Sequence, residues 1–155
     1  MTKILFICYG NICRSVMAEF VMKDMIAKLG REKDFYIESA AVSTEEIGNH
    51  IYPLAKDCLY SHGIQNKEIN QKTARQVIKA DYQKFDYLIV AEESNKRGLF
   101  LIIGEDVDNK VYKLLDFAED TSLKNKNIDD PWYTRDFDKA YDDIVAGCKG
   151  LINSF

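Results

Sequence analysis

Proline is nearly missing from this chain: Pro53 and Pro131 are the only two in 155 residues. No Pro-rich linker, low-complexity tract or internal repeat divides the sequence, so one domain over residues 1–155 is expected. Histidine is as scarce, with His50 and His62 alone, and no Cys-x-x-Cys pair occurs; no metal and no other cofactor is expected. Four cysteines, at positions 8, 13, 58 and 148, are too few for a disulfide scaffold. They suit a reducing compartment, which makes the cytoplasm the expected location. No apolar run approaches the roughly 18 residues that cross a bilayer, and the first one meets Arg14 too early to read as a signal peptide. Cationic excess is lacking as well: 21 basic against 25 acidic residues give a net charge of −4. Without a basic stripe, nucleic acid is not an expected partner, and neither is a membrane.

What is present is concentrated near the start. Lys3-Ile4-Leu5-Phe6-Ile7 is a continuous apolar run of the kind buried in parallel sheets. From Ser15 onward, Val16, Met17, Phe20, Val21, Met25 and Ile26 recur at helical spacing, predicting a helix over 15–29. Between them lies Cys8-Tyr9-Gly10-Asn11-Ile12-Cys13-Arg14-Ser15, a loop opening into a helix N-terminus, with Gly10 read as the tight bend and Ser15 as the cap. Unpaired amides and the positive end of the helix dipole make such a place an anion site. Successive loop amides can form a concave nest, and the Arg14 fork matches two phosphate oxygens. A cysteine at the base of that bowl has its thiolate stabilised and faces a bound phosphate as a nucleophile.

Further strands are predicted at 35–39, 87–91 and 111–115, and helices at 51–62, 95–103 and 135–152. Alternating strands and helices argue for an α/β fold with a parallel sheet covered on both faces. A loop after the first strand then lies at the carboxyl edge, where such sheets bind ligands. Cleaving a phosphate monoester also needs an acid for the leaving group, and the loop contains none. Glu119, Asp120, Asp129, Asp130, Asp136 and Asp138 are all candidates in the acidic stretch that follows. Asp130 differs in preceding Pro131, which favours an extended backbone, and in adjoining Trp132 and Tyr133, an aromatic wall for a phenyl ring.

The loop, followed by Ala18-Glu19, resembles the phosphate-binding loop of the low-molecular-weight protein tyrosine phosphatases. Ser39-Ala40-Ala41, Gly48-Asn49, His62-Gly63-Ile64, Ala74-Arg75-Gln76, Phe85-Asp86-Tyr87, Glu93-Ser94-Asn95 and Asp130-Pro131-Trp132-Tyr133 follow in that family's order. The resemblance implies a flavodoxin-like, four-stranded parallel sheet in the order 2-1-3-4. It also implies hydrolysis of protein phosphotyrosine and small aryl phosphates through a phosphocysteine on Cys8. Arg14 and the loop residues Tyr9, Gly10, Asn11, Ile12, Cys13 and Ser15 would bind phosphate, with Asp130 as acid and then base. It further implies that Ser15 bonds the Cys8 sulfur, that Asn11 and Ser39 brace the loop, and that Glu19 and His62 form a supporting pair. Cys13 would be the redox partner of Cys8 under peroxide. The expected partners are a tyrosine-phosphorylated protein and inorganic phosphate, and the expected state is a monomer.

The chain departs from the family pattern at the pocket mouth, where Glu45 replaces an aromatic wall and Tyr9 a smaller apolar residue. Glu92 stands where Asp is frequent, Lys72 where His is frequent, and Val16 where Pro is frequent. Relatives acting on phosphoarginine carry a threonine at the position of Ile12, so the apolar side chain favours an aromatic ring. Two other readings share the loop. A thiol-dependent arsenate reductase needs relay cysteines, and none lies between Cys58 and Cys148. A non-catalytic phosphopeptide-binding module has no use for an acid.

Overall fold

Four short apolar runs form four strands, each paired in parallel with its neighbours because helical segments carry the chain back between them. The computed structural model describes residues 1–155, with β1 Thr2–Cys8, β2 Phe35–Ala41, β3 Tyr87–Val90 and β4 Val111–Lys113. The sheet order is β2-β1-β3-β4, as the resemblance implied. The helices are α1 Arg14–Lys28, α2 Pro53–Ser61, α3 Asp81–Lys84, α4 Glu93–Ile103, α5 Pro131–Thr134 and α6 Phe137–Asn153. None is long and apolar enough to cross a membrane.

Several boundaries shift by one or two residues from expectation, and two of the shifts have clear local causes. β4 stops at Lys113 because Leu114–Phe117 closes into a 3-10 turn, with the Asp116 carboxylate accepting the Lys113 amide at 2.9 Å. α6 begins at Phe137, two residues late, because Arg135 takes a left-handed φ of 62° and Asp136 caps the new helix through the Lys139 amide.

Strand alternation divides the core into two layers. Ile4, Phe6 and Cys8 of β1 face α1, α2 and α6, whereas Leu5 and Ile7 face Leu99 and Ile103 of α4. All of these side chains are buried, and the central strand is covered on both sides. The chain runs from β1 to β2 and then crosses to β3 on the other flank, so the segments leaving β1 and β3 diverge. The crevice at that reversal is where open α/β sheets bind ligands, and Cys8 ends β1 there.

The seam between α6 and the turn after β4 depends on a missing side chain. A Cβ on Gly150 would stand 1.7 Å from the Phe117 carbonyl oxygen and 2.7 Å from its carbon. These are backbone atoms, with no flexible end to yield. Gly150→Ala is therefore expected to destabilise the protein by about 3 kcal/mol, read from the denaturant midpoint; an unchanged midpoint would show that α6 can slide.

Candidate active site

The loop joining β1 to α1 turns its carbonyls outward and its amides inward. Cys8, Tyr9 and Ile12 carbonyls accept the amides of Val42, Ser43 and Tyr52 at 3.0, 3.1 and 3.0 Å. The amides of Gly10, Ile12 and Cys13 find no acceptor within the protein, and that of Asn11 donates to Cys8 Sγ at 3.3 Å. A curl of inward N–H groups at the mouth of a fifteen-residue helix is a receptor for one tetrahedral oxyanion.

The bend spans residues 9–13 and includes Gly10, but its left-handed residue is Asn11. Asn11 has φ 60°, a left-handed conformation that a side chain normally resists. Its own amide group holds it there: Nδ2 donates to Ser15 Oγ at 2.8 Å and to Ser39 Oγ at 3.0 Å, while Oδ1 accepts the Arg75 amide at 3.2 Å. Ser39 in turn donates to Glu19 Oε1 at 2.5 Å. These four groups are almost wholly buried, so the strain is held by a network shielded from water. Gly10 serves a different need, since a Cβ there would meet Glu46 Cγ at 3.3 Å.

Ser15 is not the helix cap. α1 starts one residue earlier, Cys13 occupies the cap position, and no side chain caps the end. The Ser15 hydroxyl instead lies 3.0 Å from Cys8 Sγ. Because Asn11 Nδ2 fills one of its lone pairs, the hydroxyl proton is free to point at a thiolate. Cys13 is a contrasting thiol: burial first, then the charges of Cys8 and Asp130, push its ionisation far above the ordinary thiol range. Of the two loop cysteines, Cys8 is therefore the one suited to attack.

Arg14 is buried and fastened to two other parts of the chain. Nη1 donates to Glu92 Oε2 at 2.5 Å, beyond the end of β3, and to the Ile128 carbonyl at 2.7 Å. Nη2 lies 3.4 Å from Asp130 Oδ2. Burial opposes ionisation of Glu92, but hydrogen bonds from Ser94 and Arg14 outweigh it and hold its carboxyl below the ordinary range. Glu92 thus fixes the plane of the guanidinium, a positioning role that its place in the sequence does not advertise.

The six candidate acids separate cleanly. Asp130 Oδ1 accepts the Trp132 amide at 3.0 Å, which leaves Oδ2 turned toward Arg14 and the loop. Glu119 accepts from Asn153, Asp120 from Ser122, Asp136 from the Lys139 amide, and Asp129 pairs with Lys139. Asp138 stands near His62. Asp130 is the only one of the six that lines the pocket, which Cys8, Tyr9, Gly10, Ile12, Cys13, Arg14, Glu45, Glu46, Trp132 and Tyr133 complete. The cavity measures about 120 Å³. Trp132 is propped edge-on against Tyr52 at 4.9 Å, and Tyr133 is 80 % exposed at the rim. Across the mouth, Tyr9 Oη donates to Glu45 Oε1 at 2.6 Å, a bond that raises the phenol's ionisation above its usual value.

The expected Glu19–His62 pair does not form. Glu19 takes Lys23 at 2.7 Å and Lys72 at 3.3 Å, so Lys72 supplies the positive charge beneath the loop. His62, at the far end of α2, stacks on Tyr141 with ring centroids 3.7 Å apart. His50 is exposed.

Comparison with known proteins follows the same outline. The family model described as low molecular weight phosphotyrosine protein phosphatase matches residues 3–155. The chain is 35 % identical over 154 residues to the Bacillus subtilis low molecular weight protein-tyrosine-phosphatase YfkJ, covering 99 % of this chain and 96 % of that one. It is 39 % identical over 151 residues to the low molecular weight phosphotyrosine protein phosphatase of Gallus gallus, covering 96 % and 92 %. The crystal structure of YfkJ superposes with a TM-score of 0.91 over 99 % of this chain and 94 % of that one. That of the protein tyrosine phosphatase from Entamoeba histolytica with Hepes in the active site gives 0.88 at 29 % identity, over 99 % and 96 %.

Proposed function

The chain belongs to the low molecular weight phosphotyrosine protein phosphatase family and hydrolyses phosphotyrosine through a cysteine, and we propose the following division of labour among its residues. Cys8 attacks phosphorus as a thiolate while the inward amides and Arg14 bind the non-bridging oxygens. Asp130 gives its proton to the departing phenolate oxygen, leaving a phosphocysteine. Asp130 then takes a proton from water as the water attacks phosphorus. The Cys8 thiolate leaves with the Ser15 hydroxyl turned toward it, and inorganic phosphate is released. The observation that carries this reading is the convergence of Cys8, Arg14 and Asp130 on one cavity under unfilled amides. Hepes bears a sulfonate, a tetrahedral oxyanion, and its presence in the active site of the Entamoeba relative agrees with an anion bowl at this place.

Trp132 and Ile12 flank the cavity as apolar walls, which favours a phenyl ring over a guanidinium as the phosphate carrier. The test is turnover of a chromogenic aryl phosphate, a phosphotyrosyl peptide and a phosphoarginyl peptide in the presence of a chelator. The first two are expected to be cleaved and the third poorly. A protein inert to all three that reduces arsenate with a thiol donor would replace this reading with the reductase. Four free thiols, two of them in the site, favour operation in a reducing compartment such as the cytoplasm.

Cys13 is proposed to shelter Cys8 from overoxidation. Peroxide converts the Cys8 thiolate to a sulfenic acid; the Cys13 sulfur then displaces water to form a disulfide, which a dithiol reduces. Oxidation of Cys8 removes one of the negative charges that hold Cys13 protonated, which favours the second step. Wild-type inactivation by peroxide should reverse almost completely with dithiothreitol, whereas Cys13→Ser should recover less than about a tenth of its activity. Equal recovery in both proteins would remove the shelter.

A further inference from the structure

Cys58 and His62 stand four residues apart at the end of α2, and the first turn of α6 brings Asp138 against them. One ligand atom from each lies within 4.8 Å of the other two. Cys58 Sγ is 3.7 Å from Asp138 Oδ1, and His62 Nε2 is 4.0 Å from the same oxygen. The histidine tautomer follows from its other contact. Nδ1 lies 2.8 Å from the Cys58 carbonyl, which has no proton to give, so Nδ1 is the donor. In the neutral ring Nε2 then carries the lone pair, and it faces a carboxylate oxygen that also carries lone pairs. Two acceptors and a sulfur converge with no donor among them except the thiol. The ring is held in that direction by its stack on Tyr141.

We propose that Cys58, His62 and Asp138 form a binding site for a borderline-soft divalent cation such as zinc, with one position left to water. The donor set of sulfur, imidazole nitrogen and carboxylate oxygen matches that class of ion, and a second ring nitrogen bonded to a carbonyl is the usual orientation of a metal-bound histidine. Ligand atoms around a tetrahedral zinc stand roughly 3.3–3.6 Å apart given metal–ligand distances of about 2.0–2.3 Å. The two distances from Asp138, which is exposed, close to that value by a small swing of its side chain, while the Cys58 sulfur lies 3.8 Å from His62 Nδ1 and within 4.8 Å of the ring nitrogen that completes the set. Binding exchanges the Cys58 proton for the cation and releases it to solvent. Burial and then Asp138 push the Cys58 thiol up to about 11. Asp142 adds further negative charge nearby, as its effect on the same thiol shows.

The ion would tie the end of α2 to the start of α6. At its other end α2 already touches the acid-bearing turn, through Tyr52, which meets Trp132 edge-on and accepts from Arg135 Nη2 at 2.8 Å. The expected absence of a metal site rested on spacing along the chain. Asp138 lies 76 positions beyond His62, a distance no ligand motif spans.

Untagged Cys8→Ser protein, which lacks the active-site thiol, is titrated with Co²⁺ as a spectroscopic probe. One equivalent should produce thiolate-to-cobalt charge transfer and the visible bands of a tetrahedral centre. Adding Cys58→Ser or His62→Gln should abolish both, and Asp138→Asn should weaken binding about tenfold. Zn²⁺ at about a hundredfold excess over Kd should raise the unfolding midpoint by roughly 5–10 °C, and by none of that in the Cys58→Ser background. The single variants Cys58→Ser and His62→Gln should keep metal-free aryl phosphatase turnover, which verifies their folding. Absence of the charge-transfer band, or its persistence in either Cys58→Ser or His62→Gln, overturns the site.

Discussion

Cys8→Ser is expected to lower turnover of aryl phosphates by at least roughly 10⁴-fold while phosphate binding is retained. A serine hydroxyl at this place is protonated at neutral pH and lacks the nucleophilicity of a thiolate. The receptor is built from other atoms: the amides of Gly10, Ile12 and Cys13 and the guanidinium of Arg14, which Glu92 and the Ile128 carbonyl hold. None of these contacts uses the sulfur. Removing the sulfur's negative charge from beneath a dianion should also ease binding. Calorimetric titration with inorganic phosphate and rapid-quench detection of phosphoenzyme separate the two properties. The variant should bind phosphate at least as tightly as wild type and form no phosphoenzyme. Turnover within tenfold of wild type would move the nucleophile off Cys8, and Cys13 is poorly placed to inherit the role, being a buried thiol held protonated.

Asp130→Asn should reduce kcat for phenyl phosphate by about 10²–10³-fold. Phenol has a pKa near 10, so its oxygen leaves poorly without a proton. The asparagine keeps the size of the side chain and can still accept the Trp132 amide through its Oδ1, so the turn should survive. What it loses is the transferable proton. The diagnostic is the leaving group: with a strongly acidic nitrophenol, whose anion departs unaided, the deficit should shrink to about tenfold or less. A deficit that stays constant across leaving groups would mean that Asp130 acts only through Arg14, 3.4 Å away, and that proton transfer is performed elsewhere. Both variants leave the Asn11–Ser39–Glu19 network intact, so lost activity reports chemistry and not a collapsed loop.

The strand, loop and helix carrying Cys8 and Arg14 were legible because the motif is contiguous. Eight residues bounded by an apolar run and a helical period define their own geometry. The Ser15 cap is the exception, for a reason of the same scale. Serine at a helix start is the usual solution, and here Cys13 took that place because the buried network claims the serine hydroxyl; the same network holds Asn11 left-handed inside the bend that Gly10 shares. Glu45 and Tyr9 were read as a pair of departures at the mouth; the structure joins them in one hydrogen bond.

From its residues alone the chain determined an α/β alternation, an anion-binding loop at the end of the first strand, and a cysteine with an arginine at its two ends. These are short-range facts, encoded in hydrophobic period and in neighbours along the backbone. Only the tertiary structure gave Glu19 to Lys72 instead of His62, set Glu92 on Arg14, and brought Asp138 to Cys58 and His62. Each of those pairings joins segments roughly 50 to 80 positions apart. Which distant side chains meet depends on strand order and helix packing, and local periodicity carries no record of either.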